Sequence, residues 1–296
     1  MSDIQKLSIA YSPCPNDTFI FNGLANGYID TQDLEFDVTL ADVETLNHHA
    51  SQGLYDITKL SFAAMGSAMS RYRLLRVGSA LGRGCGPLIV GRSAESLDKQ
   101  LNDRRTPVIA VPGLGTTAYH LLMLYLKDIE NSFKNPVIPE IIPMPFEKIM
   151  PHVLEGKSDF GVIIHEGRFV FQNLGLGLIC DLGQWWEEKT LLPIPLGCIA
   201  VKKEMDKDIV IKIEHLIKKS IRYAWENPDA GYEYIKKNAQ ELDDSVIDQH
   251  IALYVNEYTE ELGPGGEEAV KVFFDQVEKA GLFPKRTEPL FATESE

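Results

Sequence analysis

The feature that most restricts how this chain can fold is a pattern that occurs twice. A strand-like run at residues 7–11 leads into a turn and a helix, and residues 106–111 begin the same series again. Ile9-Ala10-Tyr11-Ser12-Pro13 is echoed by Ile109-Ala110-Val111-Pro112-Gly113. Further on, Glu44, Gly53 and Asp56 are matched by Glu147, Gly156 and Asp159 at identical spacing. In each copy a helix, a glycine stop and an aspartate-led strand follow in turn. Two similar βαβαβ units predict an α/β protein of two lobes, with a ligand in the gap between them.

Local signals fill in the two units. Leu34–Leu40 alternates as a half-buried strand does, and Val43–Gln52 reads as a helix closed by Gly53. A third strand at 56–60 runs into Lys59-Leu60-Ser61 and is followed by a helix to about Tyr72. Strand-like runs follow at 74–77 and 88–90, with a glycine-rich turn at 82–86 between them. Pro13 and Pro15 keep the first turn irregular, and Asn16 or Asp17 is placed to cap the helix after it. Residues 160–164 are apolar on both faces, which suits a parallel sheet covered by helices. The Trp185-Trp186 pair reads as packing in a loop after Gly183.

Residues 207–280 are helical by period, with Ile209, Ile211, Ile213, Leu216, Ile217 and Ile221 apolar. Asn227-Pro228 and Gly263-Pro264-Gly265-Gly266 divide them. A strand at 197–202 is expected to cross back to the first lobe. That lobe then comprises 1–92 with 200–296, and the second comprises 93–199. The polar tail at 286–296 is expected to fray.

The bulk numbers exclude several classes. A formal net charge of -14 disfavours nucleic acid and anionic membrane as partners. No apolar run reaches the roughly 18 residues of a membrane span. The start lacks a basic segment leading into a long apolar one, and Cys14, Cys85, Cys180 and Cys198 form no C-x-x-C. A cytoplasmic setting with reduced thiols is expected. His48 and His49 point apart on their helix, and His120, His152, His215 and His250 stand alone. Without H-x-x-x-H, H-E-x-x-H or clustered carboxylates, no metal is expected. No G-x-S-x-G elbow supports Ser-His-Asp hydrolysis.

Open α/β sheets bind ligands outside the carboxyl ends of their strands. His165 falls there, just after 160–164 and before a Glu166-Gly167-Arg168 turn, so it is a candidate base; a simple loop hydrogen bond is the plainer role. Gly113-Leu114-Gly115-Thr116-Thr117-Ala118 fits the dinucleotide fingerprint. The next strand, however, ends in Pro143-Met144-Pro145 where an acidic residue is wanted. The same backbone N–H groups, with the Thr116 and Thr117 hydroxyls, suit a carboxylate or phosphate; the plainer role is a helix cap. Lys59-Leu60-Ser61 ends the matching strand of the first lobe and is the opposing candidate.

Four segments, in order, carry a resemblance: Ser12-Pro13-Cys14-Pro15-Asn16-Asp17-Thr18-Phe19, Lys59-Leu60-Ser61, Gly115-Thr116-Thr117-Ala118 and Ile164-His165-Glu166-Gly167-Arg168. Together they resemble the 1,4-dihydroxy-6-naphthoate synthases of the futalosine route to menaquinone, over essentially the whole chain. The resemblance implies a two-lobed fold like periplasmic binding proteins of the second type. It also implies conversion of cyclic dehypoxanthinyl futalosine to the dihydroxynaphthoate with release of dihydroxyacetone, without a cofactor. By motif, His165 matches the proton acceptor, and Lys59, Leu60, Ser61, Thr116 and Thr117 match the binding segments for a carboxylate-bearing substrate. Ser12, Asn16, Asp17 and Arg168 are further candidates for the cleft. The rival readings are a chorismate dehydratase of the same pathway and a non-catalytic small-anion receptor of the same fold.

Overall fold

The computed structural model describes residues 4–92, 106–130, 137–239 and 243–293. The first half supplies β1 (Gln5–Tyr11), α1 (Pro15–Ala25), β2 (Leu34–Leu40), α2 (Val43–Gln52), β3 (Ile57–Ser61), α3 (Phe62–Ala68), β4 (Tyr72–Leu74) and β5 (Ala80–Gly82). Next come β6 (Leu88–Gly91), β7 (Val108–Val111), α4 (Thr117–Glu130), β8 (Glu140–Pro143), α5 (Phe146–Leu154) and β9 (Phe160–Ile163). Then follow α6 (Gly167–Val170), β10 (Gly177–Asp181) and α7 (Leu182–Thr190). The chain returns through β11 (Ile194–Lys202) and ends in α8 (Lys207–Glu226), α9 (Pro228–Asn238), α10 (Asp244–Tyr254), α11 (Glu257–Glu260) and α12 (Gly263–Lys279).

The strands form two sheets, ordered β2-β1-β3-β11-β4, with β5 also on β11, and β8-β7-β9-β6-β10. The two orders are the same. Each sheet has its second, first and third strands parallel, then an antiparallel strand arriving from the other part of the chain. Thus β6 belongs to the second sheet and β11 to the first. The expected break after residue 92 falls beyond β6, and the one at 200 falls inside β11. The β9 sheet is mixed, not wholly parallel, because β6 pairs with β9 antiparallel.

The sequence repeat is a repeat of contacts. The Asp56 Oδ2 accepts from the Ser8 backbone N–H at 2.9 Å, and the Asp159 Oδ2 accepts from that of Val108 at 2.9 Å. Each aspartate holds the first parallel strand of its lobe at the same rung, with Ile9 facing Ile57 and Ile109 facing Phe160. Gly53 and Gly156 both have φ 73°, the left-handed geometry that ends a helix without a Cβ clash.

Several local expectations change. Cys14, not Asn16 or Asp17, caps α1, because Pro15 sits at the first helical position, where no N–H is needed. β4 begins at Tyr72 and not 74, and β5 and β10 emerge as strands. The break expected at Gly263–Gly266 is present, but those residues are themselves helical and form the first turn of α12. Trp185 and Trp186 lie in α7; Trp186 is buried and donates to the Pro193 carbonyl at 3.2 Å. The tail through Thr293 packs: Leu74 N–H donates to Leu290 O at 2.9 Å, and Arg76 lies 4.4 Å over the Phe291 ring. It covers the open edge of β4, which would otherwise leave ladder groups exposed.

One apolar cluster runs under both sheets, from Leu60 and Leu81 through Ile109 and Phe160 to Phe273 and Phe274 of α12. The other face of the first sheet is covered by α1 and by Ile213, Leu216, Ile217 and Ile221 of α8. Ile211 of the same helix faces solvent. Among the described residues no helix is long and apolar enough to cross a membrane.

Candidate active site

The carboxyl ends of β1, β3 and β9 and the start of α4 meet around a cavity of about 680 Å³, its open mouth included. Ser12, Asn16, Lys59, Leu60, Ser61, Thr116, Thr117 and His165 all line it, as does Asp17. Arg168 is the predicted residue that does not. Its guanidinium donates to Gly86 O at 2.6 Å and pairs with Asp181 at 2.7 Å, bracing the glycine-rich turn against the β10 edge. The helical turn of α6 carries it away from the cavity.

His165 follows β9 with φ 54°, a left-handed backbone that a residue bearing a Cβ adopts at a cost of about 1 kcal/mol or more. The half-buried ring packs against Phe146, 5.1 Å between centroids, and lies parallel to His250 at 6.1 Å. Its Nδ1 is 3.6 Å from the Cys14 Sγ. Burial pushes the imidazole below its ordinary pKa, against the upward pull of Glu166 and Asp17. The ring is therefore neutral at pH 7. Burial, with the same two carboxylates, pushes the Cys14 thiol well up. The pair is a thiol beside an imidazole, not a thiolate–imidazolium couple.

Lys59 is buried, not solvated as lysines at strand ends usually are. Its Nζ lies 2.7 Å from Asp17 Oδ1 and donates to Gly78 O at 3.0 Å. Asp17 also accepts from Ser12 Oγ at 2.7 Å and Asn16 Nδ2 at 2.9 Å. Three candidates named from sequence are thus joined through a fourth. Ser61 makes no side-chain cap on α3. Instead its Oγ accepts from Asn47 Nδ2 at 3.1 Å, and its N–H donates to Asn47 Oδ1 at 2.9 Å. The Leu60 side chain belongs to the apolar core.

Of the two roles weighed for the threonines, the hydrogen bonds show the helix cap, at Thr116. Thr116 Oγ1 accepts from the Tyr119 N–H at 3.2 Å, a helix cap, and donates to Gly113 O at 2.8 Å. Thr117 Oγ1 donates to Leu196 O at 2.7 Å and accepts from Ala63 N at 3.3 Å, tying α4 to the first lobe. The glycine turn before them already holds an anion from the protein: Gly115 N–H donates to Glu44 Oε1 at 3.1 Å. A Cβ on Gly113, where φ is 121°, would lie 2.5 Å from the Glu44 Cδ. Glu44 thus marks the repeat and also bridges the lobes.

Among the cavity residues that escaped the sequence reading are His250 and Tyr254 of α10. Their signal was helical spacing, since Val246, Ile247, His250 and Tyr254 share the buried face of α10. His250 is 1% exposed, and its Nε2 lies 3.0 Å from Asn16 Oδ1. Among the described residues no three His, Cys, Asp or Glu side chains gather as metal ligands.

A family model described as Menaquinone biosynthesis matches residues 7–279. A Streptomyces coelicolor protein named 1,4-dihydroxy-6-naphthoate synthase is 42% identical, covering 94% of this chain and 95% of its own. A Thermus thermophilus protein of the same name is 39% identical, covering 97% and 100%. Among solved structures, a Candida albicans protein described as exhibiting the generic periplasmic binding protein fold superposes with a TM-score of 0.67 at 14% identity. The match covers 95% of this chain and 92% of that one, and the fold is shared.

Proposed function

Because this chain belongs to the menaquinone biosynthesis family, we propose that it is a carbon–carbon lyase in that pathway. In this reading it converts cyclic dehypoxanthinyl futalosine to 1,4-dihydroxy-6-naphthoate and dihydroxyacetone. His165 is the observation that carries the reading: a neutral imidazole on the wall of a cavity between two lobes. Product formation removes a proton and breaks a carbon–carbon bond, and aromatisation of the second ring supplies driving force. A neutral imidazole is a suitable base at pH 7. The base role takes the tautomer in which Nδ1–H donates to Cys14 Sγ, 3.6 Å away, so that the bare Nε2 is left for the substrate.

The threonine hydroxyl protons are committed to carbonyls, so the substrate carboxylate is assigned to backbone donors at the start of α4. The first N–H groups of a helix have no intrahelical acceptor, and the dipole favours an anion there. Ser61 and the remaining Lys59 N–H are assigned to the sugar-derived part or a developing oxyanion. The partner is thus a small carboxylate-bearing molecule, with neither nucleic acid nor membrane required. The cytoplasm, where thiols stay reduced, suits Cys14, Cys85, Cys180 and Cys198, none of which is in a disulfide.

The test is turnover of the purified cyclic substrate, followed by absorbance of the aromatic product. His165→Ala is expected to lose about 10²–10⁴-fold in rate. A loss of about tenfold or less overturns the base role. Tight binding by the wild type without turnover replaces the enzyme reading with a receptor.

A further inference from the structure

His250 lies on the cavity wall facing His165, and its hydrogen bonds fix which ring nitrogen is bare. Asn16 Nδ2 donates to Asp17 Oδ1 at 2.9 Å, and that carboxylate is paired with Lys59 at 2.7 Å. Asn16 must therefore turn its carbonyl oxygen toward His250, 3.0 Å from Nε2. A carbonyl oxygen only accepts, so Nε2 carries the ring proton. Burial and the neighbouring His165 ring push His250 well below its ordinary pKa, so the ring is neutral. Nδ1 is then a lone pair, buried from solvent and without a hydrogen-bond partner among the described residues. A buried acceptor left unmet is costly, and of the buried side-chain atoms without a partner among the described residues this one belongs to a residue of the cavity wall.

We propose that His250 reads a hydroxyl group of the bound molecule: Nδ1 accepts a hydrogen bond from an O–H on the ring that becomes aromatic. The relay Lys59–Asp17–Asn16 holds the imidazole in the tautomer that can do so. This rests on the naphthoate reading above. That product carries its hydroxyls on one ring and its carboxylate on the other. A bare lone pair attracts an O–H and repels a carboxylate, so His250 sets which end of the molecule lies beside His165. The carboxylate is left for the α4 end of the cavity.

The experiment compares anaerobic binding of 1,4-dihydroxy-6-naphthoate with that of 2-naphthoate, which lacks both hydroxyls. The wild type is expected to prefer the hydroxylated ligand. In His250→Phe that preference falls by about tenfold while 2-naphthoate affinity is kept, as loss of one hydrogen bond predicts. His250→Gln, which carries both a donor and an acceptor, is expected to recover part of it. An unchanged preference in His250→Phe, or equal loss of both ligands, overturns the role of His250 and leaves the naphthoate reading standing. Failure of the wild type to bind either naphthoate overturns both. Independently of any variant, ¹⁵N-histidine spectra of the wild type are expected to show His250 Nδ1 unprotonated, moving with the dihydroxynaphthoate but not with 2-naphthoate. A protonated Nδ1 in the free protein overturns the inference alone.

Discussion

The Lys59–Asp17 pair makes the sharpest demand on the physical picture. The two side chains are 5% and 3% exposed and 2.7 Å apart. At an effective dielectric near 20 their attraction is about 6 kcal/mol. Desolvation of two buried ions cancels most of that, so the pair adds little net stability. Removing one partner is different, because the other charge stays buried. Asp17→Ala leaves the ammonium with Gly78 O alone and is expected to cost about 4–5 kcal/mol. Lys59→Met leaves a carboxylate still held by Ser12 and Asn16, and about 3 kcal/mol is expected. The double variant is expected to cost about 2 kcal/mol, far below the sum, because no charge is stranded. Urea unfolding followed by circular dichroism gives the three values. Single losses below about 1 kcal/mol, or a double equal to the sum within about 0.5 kcal/mol, refute a buried coupled pair and the relay built on it.

Acid is expected to weaken the fold early. His120, His165 and His250 are held below their ordinary pKa by burial, whereas unfolded histidine titrates near about 6.5. Below that pH the unfolded chain binds protons that the native state refuses. Stability is therefore complete above about pH 6.5 and falls as the pH drops toward the depressed native values. Melting temperatures at pH 7.5 and 5.5 check this, and a flat or rising trend on acidification contradicts it. The acidic limb of kcat/KM, set by His165, is likewise expected below about pH 6.5. Gly113→Ala is expected to cost about 1–2 kcal/mol from positive φ and from displacement of Glu44. The cost should shrink in a Glu44→Ala background; an equal cost in both removes Glu44 as its cause.

The architecture was legible because the repeat spacing is the spacing of the strand ladders. Glycine, aspartate and strand recur at the intervals needed to place Asp56 on Ser8 and Asp159 on Val108. The strand ends gave up most of the cavity for the same reason, since in this topology ligands meet those ends. What stayed hidden depends on side-chain partners far apart in sequence. Nothing local distinguishes Arg168 in a brace with Asp181 from Arg168 in a cleft. Glu44 filling the Gly115 turn and His250 reaching Asn16 both require contacts between separate segments. The short β5 and the half-exposed β10 lack the apolar runs that reveal strands.

The apolar seam under both sheets has a mechanical consequence. Two bodies that share one dry interior cannot part along it without wetting Phe273, Phe274 and their neighbours. At the rim they meet through a carboxylate on an amide, and water can stand in for that bond. The molecule is a book with a greased spine and a wettable clasp.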